Sequence, residues 1–119
     1  MDRDESCVFC NIEKPLFLGE NELCYAIYDI NPIAANHTLI IPKRHVSDFL
    51  ELYQPEINAV YAILRERKQA IGADNDVTGF NIMVSLGEDA GQEVPHAHVH
   101  LVPTTNPRSI TFNTNNIDN

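Results

Sequence analysis

Six residues near the end of this chain alternate without a break: His96, Ala97, His98, Val99, His100 and Leu101. Alternation with a period of two marks a β-strand whose faces differ in chemistry. Ala97, Val99 and Leu101 are expected to enter a core. The three imidazoles then point the opposite way, about 7 Å apart at successive same-face positions. Any fold must therefore bury one side of this strand and leave the other facing a polar site. Just upstream, Gly87 and the turn Ala90-Gly91-Gln92 offer a backbone whose N–H groups can turn towards an anion.

At 119 residues the chain suffices for one domain with a single core. A net charge of −9 with neutral histidines argues against a nucleic-acid backbone as partner. A small phosphorylated ligand stays open, because local donors can override the overall sign. No apolar run reaches membrane-spanning length, and the start, Met-Asp-Arg-Asp-Glu-Ser, has no export-signal character. Three cysteines, Cys7, Cys10 and Cys24, then suggest thiols or a metal site rather than disulfides, and a cytoplasmic setting.

The patterning predicts a short N-terminal helix or turn between Cys10 and Lys14, an extended piece over Leu16–Glu20, and strands over Leu23–Tyr28 and His37–Ile41. A helix is expected from Pro55, with Ile57, Val60, Tyr61, Leu64 and Ile71 as its apolar positions and Gly72 as its stop. Arg65, Glu66, Arg67 and Lys68 form its wet face. A fourth strand follows at Phe80–Val84, and the histidine strand is the fifth. Residues 1–6 and 104–119 read as loose tails of a single domain spanning 1–119. The class is α+β, built on one antiparallel sheet.

For the histidine row, a bland packed strand is the simplest alternative to a site. A catalytic metal is another, since imidazoles two residues apart can chelate zinc. A third is nucleophilic catalysis, in which a neutral imidazole attacks phosphorus while amide donors hold the phosphate oxygens.

The run Pro95-His96-Ala97-His98-Val99-His100-Leu101-Val102 resembles the His-φ-His-φ-His-φ-φ signature of the histidine triad (HIT) family, where φ is apolar. The resemblance extends to Ala90-Gly91-Gln92-Glu93-Val94, to Asp29-Ile30-Asn31-Pro32, and to Asn36-His37-Thr38-Leu39-Ile40-Ile41-Pro42-Lys43-Arg44-His45. It implies a five-stranded antiparallel sheet with one long helix, usually paired into a homodimer. It further implies hydrolysis or transfer on nucleoside phosphoramidates or dinucleoside polyphosphates. His98 then resembles the nucleophile, His100 a phosphate-contacting histidine and His37 a supporting one. Asp29 matches the ribose-binding carboxylate and Ile30 a neighbour of sugar or base, with a purine nucleotide or its conjugate as the ligand. Gly91, Gln92, Glu93 and Val94 match the phosphate loop. Ser85 stands where the family often carries an amide, Leu86 replaces a polar neighbour, and Glu93 stands where some members place Ser or Thr. These departures suggest a second reading, a catalytically weak nucleotide-binding or protein-interaction module. In the zinc-containing members a Cys-x-x-Cys, a histidine after the Pro-Lys segment and the first triad histidine form one structural site. Here these are Cys7, Cys10, His45 and His96, implying one zinc per chain.

Overall fold

The computed structural model describes residues 3–105. Its centre is a five-stranded antiparallel sheet in the order β1-β2-β3-β5-β4: β1 Gly19–Glu20, β2 Cys24–Tyr28, β3 Thr38–Pro42, β4 Gly79–Met83 and β5 Val99–Thr104. One long helix, α1, runs over Gln54–Gly72 between β3 and β4. The expected α+β class and five-stranded sheet are thus what forms.

β2 and β3 are buried on both faces, so they read as nearly continuous apolar runs. Cys24 and Ala26 of β2, Ile40 of β3, and Val99 and Leu101 of β5 meet Val60, Ile63 and Ile71 of α1 in one cluster. Each such buried aliphatic side chain contributes about 2 kcal/mol relative to exposure. Tyr25, Ile27, Leu39 and Ile41 point to the other face and pack under Cys7 and Phe9 from the N-terminal segment. The sheet is therefore a partition. α1 covers one side; the N-terminal segment covers part of the other, and the β5 histidines belong to that second side.

Helix α1 begins where Tyr53 leaves extended backbone, and the Glu56 carboxylate accepts a hydrogen bond from the Tyr53 N–H at 2.8 Å. Glu56 is itself buried and held by a two-pronged pair with Arg44, at 2.8 and 2.9 Å. This pair fastens the segment after β3, including His45, to the first turn of α1.

Several features differ from the sequence reading; β2, β3, β4 and α1 are displaced by a single residue at an end, and four differences are larger. The strand carrying the histidines starts at Val99, not His96. Pro95 has no N–H, His96 N bonds back to Val94 O at 2.8 Å, and Ala97 N bonds to Val46 O at 2.7 Å, so the ladder is joined only afterwards. The extended piece at Leu16–Glu20 shortens to β1, because Lys14–Leu16 is a 3-10 turn around Pro15. The short helix expected between Cys10 and Lys14 falls earlier, as a 3-10 turn over Val8–Cys10, and Asn11–Glu13 lies outside any helix. Tyr61, counted on the apolar stripe of α1, is 60% exposed, and Ile63 takes the buried place. Of the tails expected to be loose, residues 1–2 and 106–119 lie outside the described residues. Within them, Thr104 is still in β5, and Arg3 donates to Cys10 O at 2.8 Å.

Candidate functional site

Two clusters of chemistry-bearing side chains share the face of the sheet opposite α1. The first joins Cys7 and Cys10, flanking the N-terminal 3-10 turn, with His45 after β3 and His96 before β5. The Cys7 Sγ lies 3.4 Å from His96 Nδ1, and the Cys10 Sγ lies 3.3 Å from His45 Nδ1 and 3.6 Å from His96 Nδ1. The two Nδ1 atoms are 3.2 Å apart. Zinc bonds of about 2.3 Å to sulfur and about 2.0 Å to nitrogen, at tetrahedral angles, set sulfur about 3.5 Å from nitrogen and the nitrogens about 3.3 Å apart. The four donors therefore fit a tetrahedral ion without rearrangement.

The hydrogen bonds around them agree. His96 donates through Nε2 to the Pro42 carbonyl at 2.7 Å, which leaves Nδ1 bare and facing the thiols. The Asp4 N–H donates to the Cys10 Sγ at 3.3 Å, and an Asp4 carboxylate oxygen is 3.9 Å from His45 Nε2. Burial pushes the Cys7 thiol above its ordinary value, so a thiolate there needs a cation beside it.

The second cluster holds the remaining histidines. His98, just before β5, is 8% exposed and donates through Nδ1 to the His96 carbonyl at 2.8 Å. That bond leaves Nε2 as the bare, nucleophilic nitrogen. His100 follows on β5 with its ring centroid 5.0 Å from that of His98. His37, immediately before β3, is buried, and its Nε2 lies 2.9 Å from His100 Nδ1 and 3.3 Å from an Asp29 carboxylate oxygen.

Proton positions follow from the backbone. The Ile33 N–H donates to His37 Nδ1 at 3.2 Å, so that nitrogen carries a lone pair and the proton sits on Nε2. His37 Nε2 then donates to His100 Nδ1, and His100 keeps its own proton on Nε2, free to donate outward. Asp29, His37 and His100 offer three donor atoms close enough for a metal. A metal on His37 Nε2, however, would drive that proton to Nδ1, against the Ile33 N–H. The polarity suits a proton-donating relay and opposes a metal-bearing triad.

The loop from Gly87 to Val94 is bent by positive φ at Gly87 and Gly91, at 94° and 102°. A Cβ on Gly91 would come 3.8 Å from the hydroxyl of half-buried Ser85, so these two matched positions are neighbours. The N–H groups of Ala90, Gly91 and Gln92 turn back onto the Gly87 and Glu88 carbonyls. Among the described residues, those of Glu93 and Val94 make no hydrogen bond, so the loop's unbonded amides lie at its end. The Gln92 side chain braces the loop: its oxygen accepts from Gly87 N at 2.9 Å, and its amide donates to Ser47 O at 2.8 Å and Val94 O at 3.0 Å. The Glu93 side chain is exposed. Ile30 is 89% exposed beside Asp29, with Tyr28 and Ile33 also open to solvent.

The structure thus gathers Cys7, Cys10, His45 and His96 in one group and Asp29, His37 and His100, with His98 beside His100, in a second; Gly91 and Ser85 neighbour each other at the loop, and Ile30 stands out in solvent. Sequence reasoning missed Phe9, whose ring edge meets His98 at 5.1 Å between centroids, although its place inside Cys-x-x-Cys was visible. It also missed the Ile33 amide and Pro42 carbonyl, which no side-chain motif reports.

Comparison with known proteins adds four findings. The model of the HIT domain matches residues 12–106. An uncharacterised 16.1 kDa HIT-like protein of Mycoplasma pneumoniae is 36% identical over 104 residues, covering 84% of this chain and 72% of that one. The adenosine 5'-monophosphoramidase of Schizosaccharomyces pombe is 33% identical over 105 residues, covering 85% and 76%. Among solved structures, a zinc-bound histidine triad family protein from Mycobacterium smegmatis superposes with a TM-score of 0.80 at 32% identity, covering 91% of this chain and 81% of that one.

Burial, reinforced by His98 and His37, pushes the His100 imidazole down to about 4. The unfolded chain protonates this group near its ordinary value of about 6.5. His100 therefore lowers folding stability as pH falls from about 6.5 towards 4, where the folded state begins to take up the same proton. Side-chain nitrogen NMR is expected to find His100 neutral throughout pH 5–8, with its midpoint near 4.

Proposed function

This chain belongs to the HIT domain family, and on that footing we propose that it hydrolyses purine nucleotide conjugates through a nucleotidyl adduct on His98. The substrates are nucleoside phosphoramidates or dinucleoside polyphosphates. The observation that carries the reading is the His98 Nδ1 bond to the His96 carbonyl, which fixes the tautomer with Nε2 bare. The yeast relative's name supports an adenosine phosphoramidate as the first substrate to test.

In the proposed mechanism, His98 Nε2 attacks the α-phosphorus and a P–N bond forms as the bond to the leaving group breaks. The leaving amine departs with a proton drawn from solvent. The imidazolium so formed is stabilised by its Nδ1–H bond to the His96 carbonyl. His100 Nε2–H and the amides of Glu93 and Val94 donate to the non-bridging oxygens. Water then attacks phosphorus, the P–N bond breaks, and the nucleoside monophosphate leaves with His98 neutral again. Asp29 accepts from the ribose hydroxyls while Ile30 and Tyr28 line the sugar and base. The weak-module alternative has less support, since the tautomer chain from Ile33 through His37 to His100 is complete.

We also infer that Cys7, Cys10, His45 and His96 hold one structural zinc. It would supply a tetrahedral clasp for the N-terminal segment and take no part in the chemistry. The donor spacing and the zinc-bound relative support this. A homodimer is our reading for β4, the edge strand, which presents Ile82 at 59% exposure beside exposed Tyr61 of α1. An unpaired apolar edge of this kind suits antiparallel pairing with a second copy.

Three outcomes are expected. His98→Ala loses turnover by about a thousandfold or more, while monophosphate affinity by calorimetry stays within about threefold; a variant that turns over normally removes the mechanism. Cys7→Ser/Cys10→Ser falls from one zinc per chain to almost none by elemental analysis; full zinc retention would place the metal elsewhere. Ile82→Lys sediments as a monomer where the unaltered chain sediments as a dimer; identical sedimentation of both would remove β4 from the interface.

A further inference from the structure

The turn that carries Cys7 and Cys10 is held by bonds that do not involve the thiols. The Cys10 N–H closes it onto the Cys7 carbonyl at 3.2 Å. The Asn11 side-chain amide reaches the carbonyls of Cys7, Glu5 and Asp4 at 2.7, 3.1 and 3.3 Å. Arg3 donates to the Cys10 carbonyl and to the Asn11 side-chain oxygen, both at 2.8 Å. The two cysteines therefore stay neighbours whether or not a metal joins them.

Their spacing also suits a direct bond. A 3-10 turn has three residues per turn and a rise of about 2 Å, so residues three apart are eclipsed, with Cα atoms about 6 Å apart. Disulfides span Cα distances of about 4.4–6.8 Å. The two sulfurs already lie within 4.8 Å of each other, so side-chain rotation suffices to join them. Cys10 is half-buried and Cys7 buried, which makes Cys10 the sulfur that solvent reaches. Cys24 takes no part, because it is fully buried on the α1 side of the sheet. The imidazole half of the cluster does not follow the sulfurs, since His96 is tied to the Pro42 carbonyl at 2.7 Å. Joining the sulfurs removes two of four ligands, and two imidazoles are too few for a closed zinc site.

We propose that Cys7 and Cys10 form a redox-releasable clasp, in which a peroxide joins the two sulfurs and zinc is discharged. The proposal rests on the structural zinc inferred above. The Cys10 thiolate attacks one peroxide oxygen, the O–O bond breaks, and a sulfenic acid forms as hydroxide leaves. The Cys7 thiolate then attacks the Cys10 sulfur, the S–S bond forms, and a second hydroxide leaves. The sulfurs lose two electrons, the peroxide gains them, and two protons from solvent turn both hydroxides into water. His45 and His96, left as the remaining ligands, let the dication go. A dithiol reductant returns both thiols and allows reloading.

The test exposes the zinc-loaded chain to hydrogen peroxide, with Cys24→Ser alongside. Zinc captured by a metallochromic dye is expected to rise in step with disulfide, one ion per bond. Free thiols should fall from three to one, and the denatured mass by about 2 Da, the two hydrogens lost. Peptide mapping should place the bond between Cys7 and Cys10, and a dithiol reductant with added zinc should restore the starting state. Cys24→Ser should behave alike, its thiols falling from two to none. The proposal is overturned if the cysteines gain oxygen in place of pairing, or if the bond joins two chains. A chain that purifies with zinc and keeps it, with all its thiols, through peroxide overturns this inference alone. A chain that takes up no zinc overturns the zinc site and this inference with it.

Discussion

The working arrangement of this molecule depends on backbone groups deciding which nitrogen of each histidine is bare. The Pro42 carbonyl takes the Nε2 proton of His96, the His96 carbonyl takes the Nδ1 proton of His98, and the Ile33 amide claims the Nδ1 lone pair of His37. Three imidazoles of identical composition are thereby sorted into one with a bare Nδ1 facing the thiols, one with a bare Nε2 and one that donates through Nε2. An imidazole in water exchanges between tautomers freely; here that freedom is removed by main-chain atoms of the loop after β2, the end of β3 and the segment leading into β5.

The sheet makes this possible because its central strands are buried on both sides. β5 lies between β3 and β4, so its ladder bonds are satisfied on both edges and its backbone cannot shift. Val99 and Leu101 lock against α1, and the opposite side chains are carried to the other face by geometry alone. The Arg44–Glu56 pair ties the loop after β3 to α1, so His45 is also mounted on a rigid support. Gln92 ties the phosphate loop to Ser47 in the same segment. The cysteine cluster and the loop are consequently braced against a common piece of chain.

Much of this was legible in the sequence. Apolar and aromatic runs gave β2 and β3, period-two alternation gave the direction of the β5 side chains, and Pro55 with Gly72 framed α1 to within a residue. The motifs named the side chains that meet in the two clusters, because a motif specifies residues and the sheet brings them side by side. What escaped was main-chain bonding. Nothing in Val94-Pro95-His96 announces that the ladder starts only at Val99, because that depends on where Val46 O happens to lie. The inward turn of the Gly91 and Gln92 amides likewise follows from a 3-10 turn over Glu88–Ala90, which depends on tertiary context. Tyr61 misled because a helical stripe is wider than the strip of sheet beneath it.

The placement of the last strand at the heart of the sheet has a consequence for biosynthesis. Until Val99–Thr104 has left the ribosome, β3 and β4 have no partner between them, and the relay of histidines does not exist. A nascent chain of this type holds the inner edge of β3 open from the time that strand emerges until β5 follows, and β5 then closes it against β4 in one non-local step. Products truncated before Val99 would therefore carry unpaired strand edges and be prone to clump, while addition of β5 completes sheet and histidine cluster together.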